Sequence, residues 1–144
     1  MQKQEKCIFC DFDDQYIIAT TELSFATYFP RAIKKGHFVV AVKQHLPTFC
    51  DLSTEQVTDM MALALKLAKI AQPLLGAEKY YLAAIGDLDH HFHIHLLPKL
   101  AADAPMGKHI MLDSGWKGEV GETVSAQDVL DLIQVLREVY ARPD

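Results

Sequence analysis

Apolar and polar residues alternate through His91-Phe92-His93-Ile94-His95-Leu96. In an extended chain, alternate side chains point to opposite faces, and same-face neighbours stand about 7 Å apart. The segment is therefore predicted to be a half-buried strand. One face carries three imidazoles, and the other carries Phe92, Ile94 and Leu96 toward a core. On a helix the same residues would scatter and form no row. Residues 15–20 and 23–29 are rich in β-branched and aromatic side chains and predict a hairpin. Residues 30–36 read as a turn, and 37–43 (HFVVAVK) as a buried strand. Ser53 followed three residues on by Gln56 is a capping-box pattern. It opens a helix to about residue 71, with Val57, Met60, Met61, Ala64, Leu65, Leu67 and Ala68 on its apolar side. Pro73 and Gly76 are expected to end that helix, and residues 79–85 form a further strand. Residues 101–122 look irregular, and Ser125 caps a last helix to about residue 140. The order predicts an α+β fold: an antiparallel sheet of about five strands, one long helix and a C-terminal helix.

Composition narrows the function. The chain has 144 residues, half of them hydrophobic, enough for one domain spanning 1–144 with an irregular tail over 101–144. A net charge of −5 argues against a nucleic-acid binder, which needs a basic face, but leaves room for a single nucleotide. No run approaches a membrane span, and residues 1–6 do not read as a signal peptide. Three cysteines, an odd count, fit a reducing cytoplasm.

Two clusters carry chemistry. Neutral imidazole is a nucleophile, a proton carrier and a metal ligand near pH 7, so the histidine row alone leaves all three roles open. Cys7-Ile8-Phe9-Cys10 has the spacing of one corner of a zinc site, with a redox pair as the rival and an incidental pair as the plainest reading. Cys50 has no partner at metal spacing and is expected to be a buried thiol.

The Cys7–Cys10 pair, the segment Gly36-His37-Phe38-Val39-Val40-Ala41-Val42-Lys43-Gln44-His45, and His91-Phe92-His93-Ile94-His95-Leu96-Leu97 together resemble the histidine triad (HIT) family. All seven positions of its His-φ-His-φ-His-φ-φ signature match, φ being apolar. The segment 82–87 looks more like bacterial members related to dinucleoside-polyphosphate hydrolases than like the purine phosphoramidase branch. The resemblance implies a nucleotide hydrolase or nucleotidyl transferase. His93 would attack the α-phosphate, and His95 would contact the phosphate and assist proton transfer. His91 would line the site as a third catalytic residue, or would join Cys7, Cys10 and His45 around a structural zinc. A homodimer is implied, with the helix over 53–71 as the candidate interface.

Several positions depart from the family pattern. An acidic residue that binds ribose is replaced by Phe29 or Pro30. Before the triad stand Asp87, Leu88 and Asp89, where an amide and a hydroxyl are usual. A carboxylate near a phosphate is repulsive unless it is paired or turned away. Asp87, His95 and Lys99 are the candidate substrate-binding residues; Arg31, Lys34 and Lys35 could attract phosphate, with a solvated turn as the favoured reading, and His90 is expected to lie on the surface. Lys108, His109 and Trp116 lie in the tail, which the resemblance implies completes the partner subunit's pocket; Trp116 could stack there or equally pack against the sheet. Two other functions fit the same residues. One is a non-catalytic zinc-stabilised nucleotide-binding or interaction domain. The other is a metallohydrolase with zinc on the triad itself.

Overall fold

The computed structural model describes residues 6–106 and 125–143. Five strands, β1 (Ile17–Thr20), β2 (Ser24–Tyr28), β3 (Phe38–Val42), β4 (Lys79–Ala83) and β5 (His93–Lys99), form one sheet in the order β1-β2-β3-β5-β4. Every neighbouring pair is antiparallel. Two helices, α1 (Thr54–Leu75) and α2 (Ala126–Ala141), complete the α+β architecture.

Residue parity assigns the two faces of the sheet. Phe38, Val40 and Val42 of β3, with Ile94 and Leu96 of β5, pack against Met60, Leu63, Leu67 and Ala71 of α1 and Ile133 and Leu136 of α2. Val39 and Ala41 point the other way, into a second cluster with Phe9, Phe25 and Phe29. The central strand is thus buried on both faces, which is why it reads as a continuous apolar run rather than an alternation. Val39 pairs with His95 and Ala41 with His93, so both histidines share the second face. The N-terminal segment covers that face, and it buries His91 and His93 more deeply than a solvent-facing row would be.

Helix α1 opens as its sequence implies. The Ser53 amide donates to Gln56 Oε1 at 2.8 Å, and the Gln56 amide donates to Ser53 Oγ at 3.1 Å. It runs past Pro73 to Leu75, four residues beyond the expected end. In the last turn the proline forfeits only its own donor. The true stop is Gly76, left-handed at φ 63°, with the Ala77 amide reaching back to the Gln72 carbonyl at 3.0 Å. The apolar side of α1 is divided: Met60, Leu63 and Leu67 are buried, while Met61 and Leu65 face outward. Cys50 is exposed, on a short 3-10 helix (Phe49–Asp51), so the expectation of a buried thiol fails. Lys108, His109 and Trp116 lie outside the described residues. Among the described residues no helix is long and apolar enough to cross a membrane.

Candidate active site and metal cluster

The three histidines of the row do not share one environment. His91 lies just before β5 and is fully buried. Its Nε2 is 2.6 Å from the Val42 carbonyl. A carbonyl only accepts, so Nε2 carries the proton and Nδ1 keeps its lone pair. That Nδ1 lies 3.4 Å from Cys7 Sγ, 3.6 Å from Cys10 Sγ and 3.3 Å from His45 Nδ1. Cys10 Sγ is 3.2 Å from His45 Nδ1. The four ligand atoms all lie within 4.8 Å of one another. Bond lengths of about 2.3 Å to sulfur and 2.0–2.1 Å to nitrogen give tetrahedral edges of about 3.3 Å between nitrogens and 3.5 Å between sulfur and nitrogen. The group therefore fits a four-coordinate metal ion, and the carbonyl holding the far nitrogen of His91 is the usual outer support of a ligating histidine. Partial desolvation and the adjacent Cys7 push the Cys10 thiol up; a cation between the pair would reverse that.

His93 uses the opposite nitrogen. Its Nδ1 is 2.7 Å from the His91 carbonyl, so Nδ1 carries the proton and Nε2 keeps its lone pair. Phe9 stacks on the ring, with centroids 4.5 Å apart. His93 Nε2 lies 3.2 Å from His95 Nε2, and His95 Nδ1 lies 2.9 Å from His37 Nε2. The Ile33 amide donates to His37 Nδ1 at 3.2 Å. Both ends of this chain are set by backbone groups, and one tautomer assignment satisfies every contact. His37 donates through Nε2 to His95 Nδ1, and His95 donates through Nε2 to His93 Nε2. The His93 lone pair accepts that last bond, so it becomes nucleophilic when the His95 N–H turns to an incoming group in the cleft.

The titration directions agree with neutral rings. Burial, then the neighbouring His95, lowers His37 to about 3. Burial, then His93, lowers His95 to about 4. Burial is also the main cause that lowers His91 and His93.

His93 and His95 open onto a cleft of about 560 Å³. Phe29 and Arg31 form one wall, and Ile85, Leu88, Asp87 and Asp89 form the other. Asp87 lines the cleft with its side chain exposed. Arg31 Nη2 reaches Asp89 Oδ2 at 2.7 Å, so the carboxylate that looked repulsive in the sequence is neutralised. Arg31 is therefore part of the cleft wall and not merely of a solvated turn, whereas Lys34 pairs with Asp103. His90 is exposed, as expected. Lys99 is not brought to the cleft: its Nζ bonds Glu78 Oε2 at 2.9 Å toward the other end of β5. Among the described residues the metal-ligand group contains His91 without His93 or His95, so it gives no support to a zinc shared along the triad. Sequence reasoning gave His37 no role and ranked phosphate attraction by Arg31 below a solvated turn. The glycine-histidine pair at the start of β3 was the available signal for the first.

Fold and site together define an α+β protein with an oriented pair of neutral histidines at an open cleft and, behind them, a separate Cys/His group able to hold a metal. The HIT domain family matches residues 13–102, well over half of the chain, and the protein belongs to that family. It is 29% identical over 92 residues to a bis(5'-adenosyl)-triphosphatase of Dictyostelium discoideum, covering 60% of this chain and 62% of that protein's length. It is 33% identical over 102 residues to an adenosine 5'-monophosphoramidase of Schizosaccharomyces pombe, covering 65% of this chain and 74% of that protein. A zinc-bound histidine triad family protein from Mycobacterium smegmatis has the same fold, with a TM-score of 0.72, 20% identity and 94% of both chains covered.

Proposed function

We propose that the protein is a nucleotide hydrolase or nucleotidyl transferase acting at the α-phosphate through a nucleotidyl-histidine on His93. The observation that carries this is the His91 carbonyl 2.7 Å from His93 Nδ1, which puts the proton on Nδ1 and leaves the Nε2 lone pair at the cleft, released for attack when the His95 N–H turns to the substrate. The Nε2 lone pair forms a bond to the α-phosphorus while the bond to the leaving group breaks. The departing electron pair takes the proton from His95 Nε2. Positive charge develops on the His93 ring, and the His91 carbonyl, accepting from Nδ1, stabilises it. Water or another acceptor then attacks the phosphorus and gives its proton to His95, and His93 leaves neutral. His37 positions His95 throughout. Nucleoside phosphoramidates and dinucleoside polyphosphates are the substrate classes, in keeping with the activities named for the two relatives.

Zinc is the proposed metal, held by Cys7, Cys10, His45 and His91, and its part is structural. Bound there, it ties the N-terminal segment to the residue whose carbonyl orients His93. A homodimer through α1 is proposed from the outward-facing Met61 and Leu65.

The test is trapping. Incubation with diadenosine polyphosphate or adenosine 5'-phosphoramidate should give a mass increase of one AMP moiety, mapped to His93 and absent in His93→Ala. Nucleotide binding with neither adduct nor turnover would sink the enzyme reading and leave a zinc-stabilised nucleotide-binding domain.

A further inference from the structure

The cleft holds a charge arrangement that the two-histidine chemistry does not use. Among its lining residues, Asp87 and Asp89 are acidic and Arg31 is the one permanent cation. Arg31 projects from the turn after β2, and Asp89 from the loop before β5, so their 2.7 Å contact spans the two walls. The guanidinium carbon sits 5.3 Å from the Phe29 ring centroid, and that ring meets His95 edge-on at 5.2 Å. Arg31 is thus steered to the histidine side of the cleft mouth, with a single aromatic ring between it and the proton donor.

An exposed ion pair of this kind adds little to stability. The recorded contact to Asp89 runs through one terminal nitrogen, and a guanidinium offers five donors in a planar fork that matches phosphate oxygens. We propose that Arg31 grips phosphate groups beyond the one attacked, so that the site takes a nucleotide whose leaving group is itself a phosphate chain rather than an amine. Asp89 and Phe29 hold the guanidinium in place for that contact. As the bond to the α-phosphorus breaks, negative charge develops on the departing phosphate oxygen and along its chain before the proton from His95 reaches it, and Arg31 faces that charge. An amine leaving group presents no such charge. This inference rests on the proposed nucleotidyl-transfer reading and selects between its two substrate classes.

The experiment compares kcat/KM for diadenosine triphosphate and for adenosine 5'-phosphoramidate in wild type, Arg31→Ala and Arg31→Lys. The ratio of the two values, dinucleotide over phosphoramidate, should fall by about 10- to 100-fold in Arg31→Ala, the worth of a lost charge-assisted contact. Arg31→Lys, keeping charge without the fork, should fall between. A ratio that stays at the wild-type value overturns the proposal. Equilibrium binding of ATP against AMP gives a readout independent of turnover: the preference for ATP should shrink by a comparable factor in Arg31→Ala, and an undiminished preference overturns the proposal as well. If wild type turns over neither substrate, the catalytic reading fails and the binding ratio alone decides the role of Arg31.

Discussion

His91 and His93 stand two residues apart, both buried, and each gives one ring proton to a backbone carbonyl. They use opposite nitrogens. His91 spends Nε2 on Val42 and turns Nδ1 to two thiols and a third imidazole. His93 spends Nδ1 on His91 and turns Nε2 to the cleft. Residue type and burial are alike at the two positions; the carbonyl within reach separates the proposed metal ligand from the proposed nucleophile. The two ends also touch through one residue. His91 gives its side chain to the metal end and its carbonyl to the reacting end, so clamping the first should hold the second in register.

This division is broken or upheld most sharply by a crossed pair of variants. His93→Ala should lose about 10⁴-fold or more in turnover, as for removal of a covalent nucleophile, while one zinc per chain remains by native mass spectrometry. Cys10→Ala should do the reverse. Its zinc content should drop toward zero and its thermal midpoint should fall, with turnover reduced by only about 10- to 100-fold, the usual cost of disturbing an outer support. Equal kinetic loss in both variants would mean that the ends are one site. Unchanged metal content in Cys10→Ala would remove the metal end altogether.

A smaller effect tests the reacting end through its backbone. Gly36 has φ 85°, where a side chain is strained, and it directly precedes His37. A Cβ there would run into the Leu75 methyl and come within 3.2 Å of Pro98 Cγ and of the Tyr80 hydroxyl. The Gly36 amide donates to Tyr28 Oη at 2.8 Å, and Tyr80 Oη donates to the Gly36 carbonyl at 3.2 Å, so the backbone has little freedom to yield. Gly36→Ala should cost about 1–3 kcal/mol by denaturant melts and lower activity by displacing His37, with zinc content unchanged. Loss of zinc in that variant would couple the two ends through the sheet rather than through His91.

How much of this was legible in the sequence follows from what each pattern reports. Period-two alternation around His93 and Ile94 predicted a strand and its faces, because face is a property of spacing alone. The run 37–43 predicted burial, and the second apolar cluster shows why: Phe9 and Phe25 cover the face that α1 does not. The set Cys7, Cys10, His45 and His91 came from the family resemblance, since ligands 84 residues apart leave no local signal. Which nitrogen each histidine frees was not legible, because backbone carbonyls carry no residue identity. Lys99 misled because its position on the triad strand said nothing of which end of β5 faces the cleft. Pro73 misled because a proline in a last helical turn costs one donor and not the helix.

A further effect concerns protonation at the reacting end, with His37 as the probe. In an unfolded chain, His37 and His95 titrate near 6.5. Folded, burial and the neighbouring imidazole hold His37 at about 3, and burial and His93 hold His95 at about 4. Above pH 6.5 both states are neutral at these residues and nothing is lost. As pH falls from 6.5 toward 4, the unfolded chain takes up protons that the native state refuses, so stability declines. The decline levels off only below the folded values. Each refused proton contributes a slope of about 1.4 kcal/mol per pH unit. His37→Gln keeps a donor in reach of His95 Nδ1 but does not titrate, so its stability should fall less steeply across that window, by about one proton. Both proteins retain the metal end, so its own acid sensitivity cancels in the difference. Urea melts at half-unit pH steps measure both slopes. Equal slopes would mean that His37 is protonated in the native state, and the donor chain from Ile33 through His37 to His95 and His93 would then have to run with a different set of tautomers.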